Sequence, residues 1–164
     1  MSEPLLTAHE AIKWNEATTT NWRNFLAAEP AILNLPCSIA KTTTVAQLLQ
    51  HIVAVELRYA ERIAELPESD YANIPYDSVE AIYATHDRAF TLYNEALNRT
   101  LDWEKQIEFT TRAGINGRAS LKTMFFHAIF HSIRHYAQLS TLLREQGHVT
   151  SWYGDYLFMG VTRL

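Results

Sequence analysis

The stretch at residues 121–146, LKTMFFHAIFHSIRHYAQLSTLLREQ, decides the fold. At about 100° of rotation per residue, its apolar side chains fall on one stripe of a helix and its charged side chains on the opposite face. Ser120 precedes the stretch in the position of an N-cap, and Gly147 follows it where a helix ends. We therefore predict an amphipathic helix over this stretch. The stripe consists of Phe125, Ala128, Ile129, Ser132, Tyr136, Leu139 and Leu143.

Three further segments have helical spacing, at residues 6–28, 45–66 and 79–101. Thr44 and Gln47 fit a capping box before the second of these helices, and Asp77 or Ser78 can cap the third. The whole chain has only five glycines and five prolines, which disfavours a turn-rich β-sandwich.

The connections between these helices are long. Residues 29–43 predict an irregular crossover. Before the last helix, Ile107, Phe109 and Thr111 alternate with polar residues and Asn116-Gly117 follows, which predicts a strand or short hairpin. The aromatic tail from residue 151 is expected to pack back as a short helix or cap. We therefore predict an all-α fold, a four-helix bundle with long crossover connections, in a single domain over residues 1–164.

Composition narrows the class of protein. The chain has 164 residues, of which 48% are hydrophobic and 20% charged, which is typical of a globular domain. The net charge of −4 disfavours nucleic acid as a partner. The sequence contains no run of about 18 apolar residues, so we predict no membrane span. The start of the chain does not resemble a signal peptide, and Cys37 is the single cysteine, so we expect a cytoplasmic protein without an internal disulfide.

Three of the seven histidines, His127, His131 and His135, recur every four residues in the last helix. Neighbours at this spacing can share a metal ion, but the outer two lie about 12 Å apart along the axis and cannot. The pair is therefore either 127/131 or 131/135. On the helical wheel His135 lies nearest the apolar stripe and His127 nearest solvent, which favours His131 with His135. Gln138 lies on the same side and could contact a ligand histidine or a substrate.

A metal site of this kind needs a third ligand from another helix. His51 is the best candidate, because it lies beside the apolar stripe of the second helix. His9, His86 and His148 are weaker candidates, and we expect His86 to face solvent. No HExxH motif is present, and Glu56 points about 140° away from His51 on the helix. Gly147 interrupts the one Glu-x-x-His spacing, Glu145 to His148, so a di-iron site is not expected.

Two stretches together resemble a known family, VAQLLQHIVAVE around His51 and FFHAIFHSIRHYAQL around His131. The chain resembles the DinB-like (YfiT-like) metalloenzymes over about residues 10–147, in a lone helix-two histidine followed by H-x-x-x-H and then Gln-Leu before a glycine. The resemblance implies a four-helix bundle with a divalent metal held by His51, His131 and His135. His127 matches an additional family histidine that is not a ligand. Tyr136-Ala137 departs from the Arg-Gly that the family often has.

The resemblance also implies a class of reaction, since relatives include thiol-dependent transferases and isomerases. A divalent ion on three imidazoles can activate a water or bind a thiol, so a thiol-dependent S-transferase and a hydrolase are both open. Zinc or nickel is the expected ion, with iron as a further choice. The expected partner is a small-molecule substrate, such as a low-molecular-weight thiol. Pocket residues are expected among Gln138, Tyr59, Arg58 and His127.

The alternative is a non-catalytic helical bundle that dimerises or binds a partner through aromatic faces, with any metal purely structural. Trp22, Trp103 and Trp152 could contribute to such a face. In either case we expect a homodimer. The distance from His51 to the 131/135 pair discriminates between the two hypotheses.

Overall fold

The computed structural model describes residues 5–111 and 114–161. It contains four long helices, which confirms the predicted all-α bundle. The helices begin within two residues of the predicted positions, but the second and third end three and four residues early. Their bounds are α1 Ala8–Ala28, α2 Val45–Ile63, α3 Val79–Leu97 and α4 Leu121–Glu145.

The early end of α2 is set by Glu65, which has a φ of 59°. This left-handed residue lets the Leu66 N–H donate to Glu61 O at 2.9 Å and its own N–H donate to Arg62 O at 3.1 Å. These two bonds form a Schellman motif, which glycine usually provides. Because glutamate rather than glycine takes the left-handed position, no glycine in the sequence marks the point where the helix ends.

Side chains cap the starts of the helices. Ser120 and Ser78 accept the N–H of the third residue of α4 and α3. Thr44 does the same for α2, but the Gln47 side chain takes the N–H of Thr43 instead of that of Thr44, so the predicted box is only half formed. A complete capping box, which the sequence analysis missed, starts α1.

The predicted hairpin before α4 is present. Strands β1 Gln106–Thr110 and β2 Asn116–Ser120 pair antiparallel, with Phe109 opposite Gly117. A Cβ at Gly117 would lie 3.0 Å from Phe109 Cζ, so the glycine makes room for the ring. Because Ser120 ends β2 and caps α4, the hairpin leads directly into the helix with the three histidines.

The helices pack so that α2 contacts α3 and α4, while α1 contacts the same two helices from the other side. The pairs α1/α2 and α3/α4 are therefore diagonal, which explains why their connections are long. Residues 29–43 form the first connection, with short 3-10 helices at Pro30–Asn34 and Ile39–Lys41. In the described part of the chain, no helix has the length and apolarity needed to cross a membrane.

The aromatic tail packs back onto α1, as expected. Trp152 contacts Trp22 edge-on with ring centroids 5.2 Å apart, and Tyr156 contacts Trp14 at the same centroid distance. Trp22 is buried, and Trp103 packs on Phe125. The three tryptophans expected for a partner-binding face, Trp22, Trp103 and Trp152, therefore take part in packing within the chain.

Candidate metal centre

The three histidines that the sequence analysis singled out meet between α2 and α4. His51 lies in the second turn of α2, and His131 and His135 occupy successive turns of α4. The Nε2 atom of His131 lies 3.1 Å from that of His51 and 3.2 Å from that of His135. One ligand atom from each of the three lies within 4.8 Å of the others. We call these residues the histidine cluster.

These distances fit a metal ion. Bonds of about 2.0–2.1 Å in a tetrahedral site place two nitrogen ligands about 3.3 Å apart. His131 Nε2 faces two other Nε2 atoms, yet a neutral imidazole nitrogen has either one hydrogen or one lone pair to offer. A cation at the centre of the histidine cluster would satisfy all three lone pairs at once. The residues present therefore fit a divalent ion.

Burial keeps the imidazoles of α4 in the form that binds metal. It lowers the pKa of His131 to about 2, and the neighbouring His135 and His51 lower it in the same direction. Burial also lowers the pKa of His135, against the opposing effect of its hydrogen bond to Gln138. Both rings are therefore neutral near pH 7, and their lone pairs are available to a cation.

Two side chains of α4 hold the ring of His135 at opposite edges. His135 Nδ1 lies 2.7 Å from Gln138 Oε1 and donates its hydrogen to it, which leaves the Nε2 lone pair directed into the histidine cluster. Arg134 Nη2 lies 3.1 Å from this same Nε2 and donates to it. A metal ion and Arg134 cannot use one lone pair together.

A cavity of about 340 Å³ opens beside the histidine cluster. We call it the histidine cavity. His51 and His131 line it, together with three of the expected pocket residues, Tyr59, Arg58 and His127. The exposed ring of His127 packs on Tyr59, with centroids 5.2 Å apart, so the structure places His127 at the rim. Gln138 acts on His135 and is not part of the wall.

The sequence model of the DinB family matches residues 1–160. The chain belongs to the DinB family. No curated protein matches this sequence. The geometry of the histidine cluster and the family match therefore both fit a metal-binding site.

The prediction for His86 of this DinB-family chain is wrong. His86 does not face solvent, because its Nδ1 lies 2.7 Å from Glu56 Oε2 in the interior, and only 4% of the residue is exposed. Ser132 Oγ donates to the other oxygen of Glu56 at 2.6 Å. We call Glu56, His86 and Ser132 the buried network, which connects α2, α3 and α4.

A signal for the buried network was present in the sequence. His86 lies four residues after Ile82 and four before Phe90, both of which are buried. That spacing puts its ring on the inner stripe of α3, but the charged neighbours Asp87 and Arg88 suggested an outer face. Glu56 does point away from His51, as expected. His9 is exposed, and His148 pairs with Glu29 at 3.2 Å.

Proposed function

We propose that this DinB-family protein is a divalent-metal-dependent enzyme that acts on a small molecule, with thiol-dependent S-transfer as its reaction. The observation that carries the proposal is the convergence of three neutral imidazoles beside an open cavity. A divalent ion held by three neutral ligands keeps its full charge and can polarise a fourth ligand, either a water or a thiol. Imidazole ligands suit zinc, nickel and iron, of which zinc or nickel is the ion we expect.

The chain's own residues support the thiol reaction over hydrolysis. Among the described residues that line the histidine cavity, none is an aspartate or glutamate that could take a proton from water. A thiol loses its proton far more readily than water does, since the pKa of a thiol is about 8.5. In S-transfer the thiol gives up its proton and its sulfur bonds to an electrophilic carbon. The leaving group departs with the electron pair of the broken bond and takes up a proton.

Hydrolysis is the second candidate, because a metal-activated water needs no other nucleophile. The histidine cavity could admit water as readily as a thiol. A comparison of thiol-dependent and thiol-independent turnover separates the two reactions. The homodimer and the cytoplasmic location stay predictions.

The first experiment is elemental analysis of the purified wild type, His135→Ala and, as a matched control, His148→Ala. We expect about one zinc or nickel ion per chain in the wild type and the control, and almost none in His135→Ala. Low-molecular-weight thiols are then screened with electrophilic co-substrates. Equal and negligible metal in all three proteins would refute the proposal.

Chelation separates a catalytic from a purely structural metal. If the ion serves chemistry, a chelator abolishes turnover while the far-ultraviolet circular dichroism stays helical. If the ion only holds the bundle together, the same treatment unfolds the protein, as in small zinc domains. Unfolding on chelation would therefore favour the non-catalytic alternative.

A further inference from the structure

We propose that the histidine cavity is an anion site, in which Arg134 and Arg58 hold a negatively charged group of the substrate or of the thiol beside the metal ion. This inference rests on the proposed function and adds the chemical class of the ligand. It is carried by the charges around the histidine cavity, by the contact that Arg134 now makes, and by a buried donor of Arg58.

The charges around the histidine cavity are one-sided. Its described lining includes Arg58, Arg62 and Arg134 but no carboxylate. Glu68, which does not line this cavity, pairs with both Arg58 and Arg62. One negative charge is thus shared by two guanidinium groups, while no carboxylate among the described residues pairs with the third, that of Arg134. A divalent ion on three neutral histidines would add to this excess, so an anionic ligand is favoured over a neutral or cationic one.

Arg134 is the residue best placed to bind the anion. Its Nη2 donates to His135 Nε2 at 3.1 Å, and among residues 5–111 and 114–161 no carboxylate forms a salt bridge with it. The lone pair that it uses is the one that a metal ion needs. When that lone pair binds metal, Arg134 loses its acceptor at the wall of the histidine cavity, next to the ion.

Arg58, on α2, offers a second donor at the histidine cavity. Its Nη2 binds Glu68 at 2.8 Å, but its Nε is buried and has no hydrogen-bond partner in the described part of the chain. A buried donor of this kind normally has an acceptor. Arg58 lines the histidine cavity, so a turn of its guanidinium group would bring this donor to an anion there. The planar fork of arginine suits both carboxylates and tetrahedral oxyanions.

The test uses the cobalt(II)-loaded protein, because a thiol that binds this ion gives a sulfur-to-cobalt absorption band. Three probe thiols are compared at equal thiolate concentration. They are 3-mercaptopropionate with a carboxylate, 2-mercaptoethanesulfonate with a tetrahedral oxyanion, and neutral 2-mercaptoethanol. We expect at least one of the anionic thiols to bind about tenfold or more tightly than the neutral one, as a charge-assisted hydrogen bond would provide. The tighter of the two identifies the shape of the anion.

Substitutions assign the effect to the arginines. Arg134→Gln and Arg58→Gln should each reduce the preference for the anionic thiol, while Arg144→Gln, on the exposed side of the same helix as Arg134, should keep it. Arg134 is exposed, so its substitution should leave the fold intact. Equal binding of all three thiols to the wild type would overturn the inference, as would a preference that survives both cavity substitutions.

A second readout needs neither a bound thiol nor turnover. Phenylglyoxal modifies accessible arginines, and peptide mapping follows its reaction with Arg134. Propionate should protect Arg134, and the uncharged propionamide should not. Absence of protection by propionate would contradict the anion site. If the wild-type protein failed to bind cobalt while propionate still protected Arg134, the result would instead count against the proposed function. The two failures are therefore distinguishable.

Discussion

The histidine cluster and the buried network occupy adjacent parts of α2 and α4, and they differ in what their histidine rings face. In the histidine cluster, three imidazoles face one another at the side of a cavity. The buried network lies next to the histidine cluster, because Ser132 follows His131 by one residue on α4 and Glu56 follows His51 by five residues on α2. There the ring of His86 faces the carboxyl group of Glu56, which also accepts from Ser132. In the histidine cluster the Nε2 atom of His131 faces two further Nε2 atoms, whereas in the buried network the oxygens of Glu56 accept from both His86 and Ser132.

This difference indicates that the local partner, more than burial, decides the role of a histidine. His86 and His135 are equally buried, with 4% of each residue exposed. A ring that meets a carboxyl group in the core is already satisfied and connects helices. Rings whose Nε2 atoms face one another are satisfied together when a cation binds between them. Substitutions in the buried network should therefore reduce stability, whereas substitutions in the histidine cluster should reduce metal affinity.

The largest effect is expected for Glu56→Ala. It removes the acceptor of both His86 and Ser132 and leaves a void where three helices meet, so the free energy of unfolding should fall by about 3–5 kcal/mol. Urea denaturation followed by circular dichroism measures this fall. Glu56→Gln, which keeps an acceptor and the shape, should cost less, and the exposed Glu145→Ala should cost under about 0.5 kcal/mol. A loss at Glu56→Ala as small as that of Glu145→Ala would show that the buried network does not hold the bundle.

His131→Ala should reduce metal affinity, whereas Glu56→Ala should reduce stability. It removes the ring whose Nε2 contacts both other histidines, so metal affinity should be lost. In the wild type, zinc at a hundredfold excess over its Kd should raise the free energy of unfolding by about 2.7 kcal/mol. Thermal melts with and without zinc should show this rise for the wild type and for the exposed His9→Ala, and no rise for His131→Ala. Retained zinc stabilisation in His131→Ala would remove the histidine cluster as the metal site.

A smaller loss of affinity is expected for Gln138→Met, which tests whether the orientation of a ligand ring matters. The thioether sulfur of methionine is only a weak acceptor for His135 Nδ1, so the ring loses most of the contact that fixes its tautomer. Removal of such a contact typically costs about 10- to 100-fold in metal affinity. Gln138→Glu keeps an acceptor and should stay near the wild type. Isothermal titration with zinc measures both, and equal affinities for Gln138→Met and the wild type would show that the hydrogen bond does not act on the ion.

The histidine cluster could be predicted from sequence because most of its geometry is local. The spacing of His131 and His135 fixes their separation on α4, and the capping residue Thr44 fixes where α2 begins and hence the position of His51 beside the stripe. Only the adjacency of α2 and α4 is not local, and the resemblance to the family supplied that step.

The buried network could not be predicted in the same way. It requires α2, α3 and α4 to meet in one register, which no spacing within a single helix determines. Glu56 lies on the side of α2 away from His51, and charged neighbours hide the inner position of His86. Similarly, the contact of Arg134 with His135 joins adjacent residues of one helix, and only the side-chain conformations reveal it.

The smallest effect is expected for His127→Ala, and it decides which neighbours on α4 share the ion. The ring of His127 is exposed and its centroid lies 5.6 Å from that of His131, whereas the centroid of His135 lies 4.4 Å from it. Zinc affinity should therefore change by less than about 0.5 kcal/mol, or roughly twofold. Because His127 packs on Tyr59 at the rim of the histidine cavity, the variant should alter the binding of a probe thiol more than that of the metal. A loss of zinc as large as that of His131→Ala would instead place the ion between His127 and His131, and His135 would then belong, like His86, to the packing of the bundle.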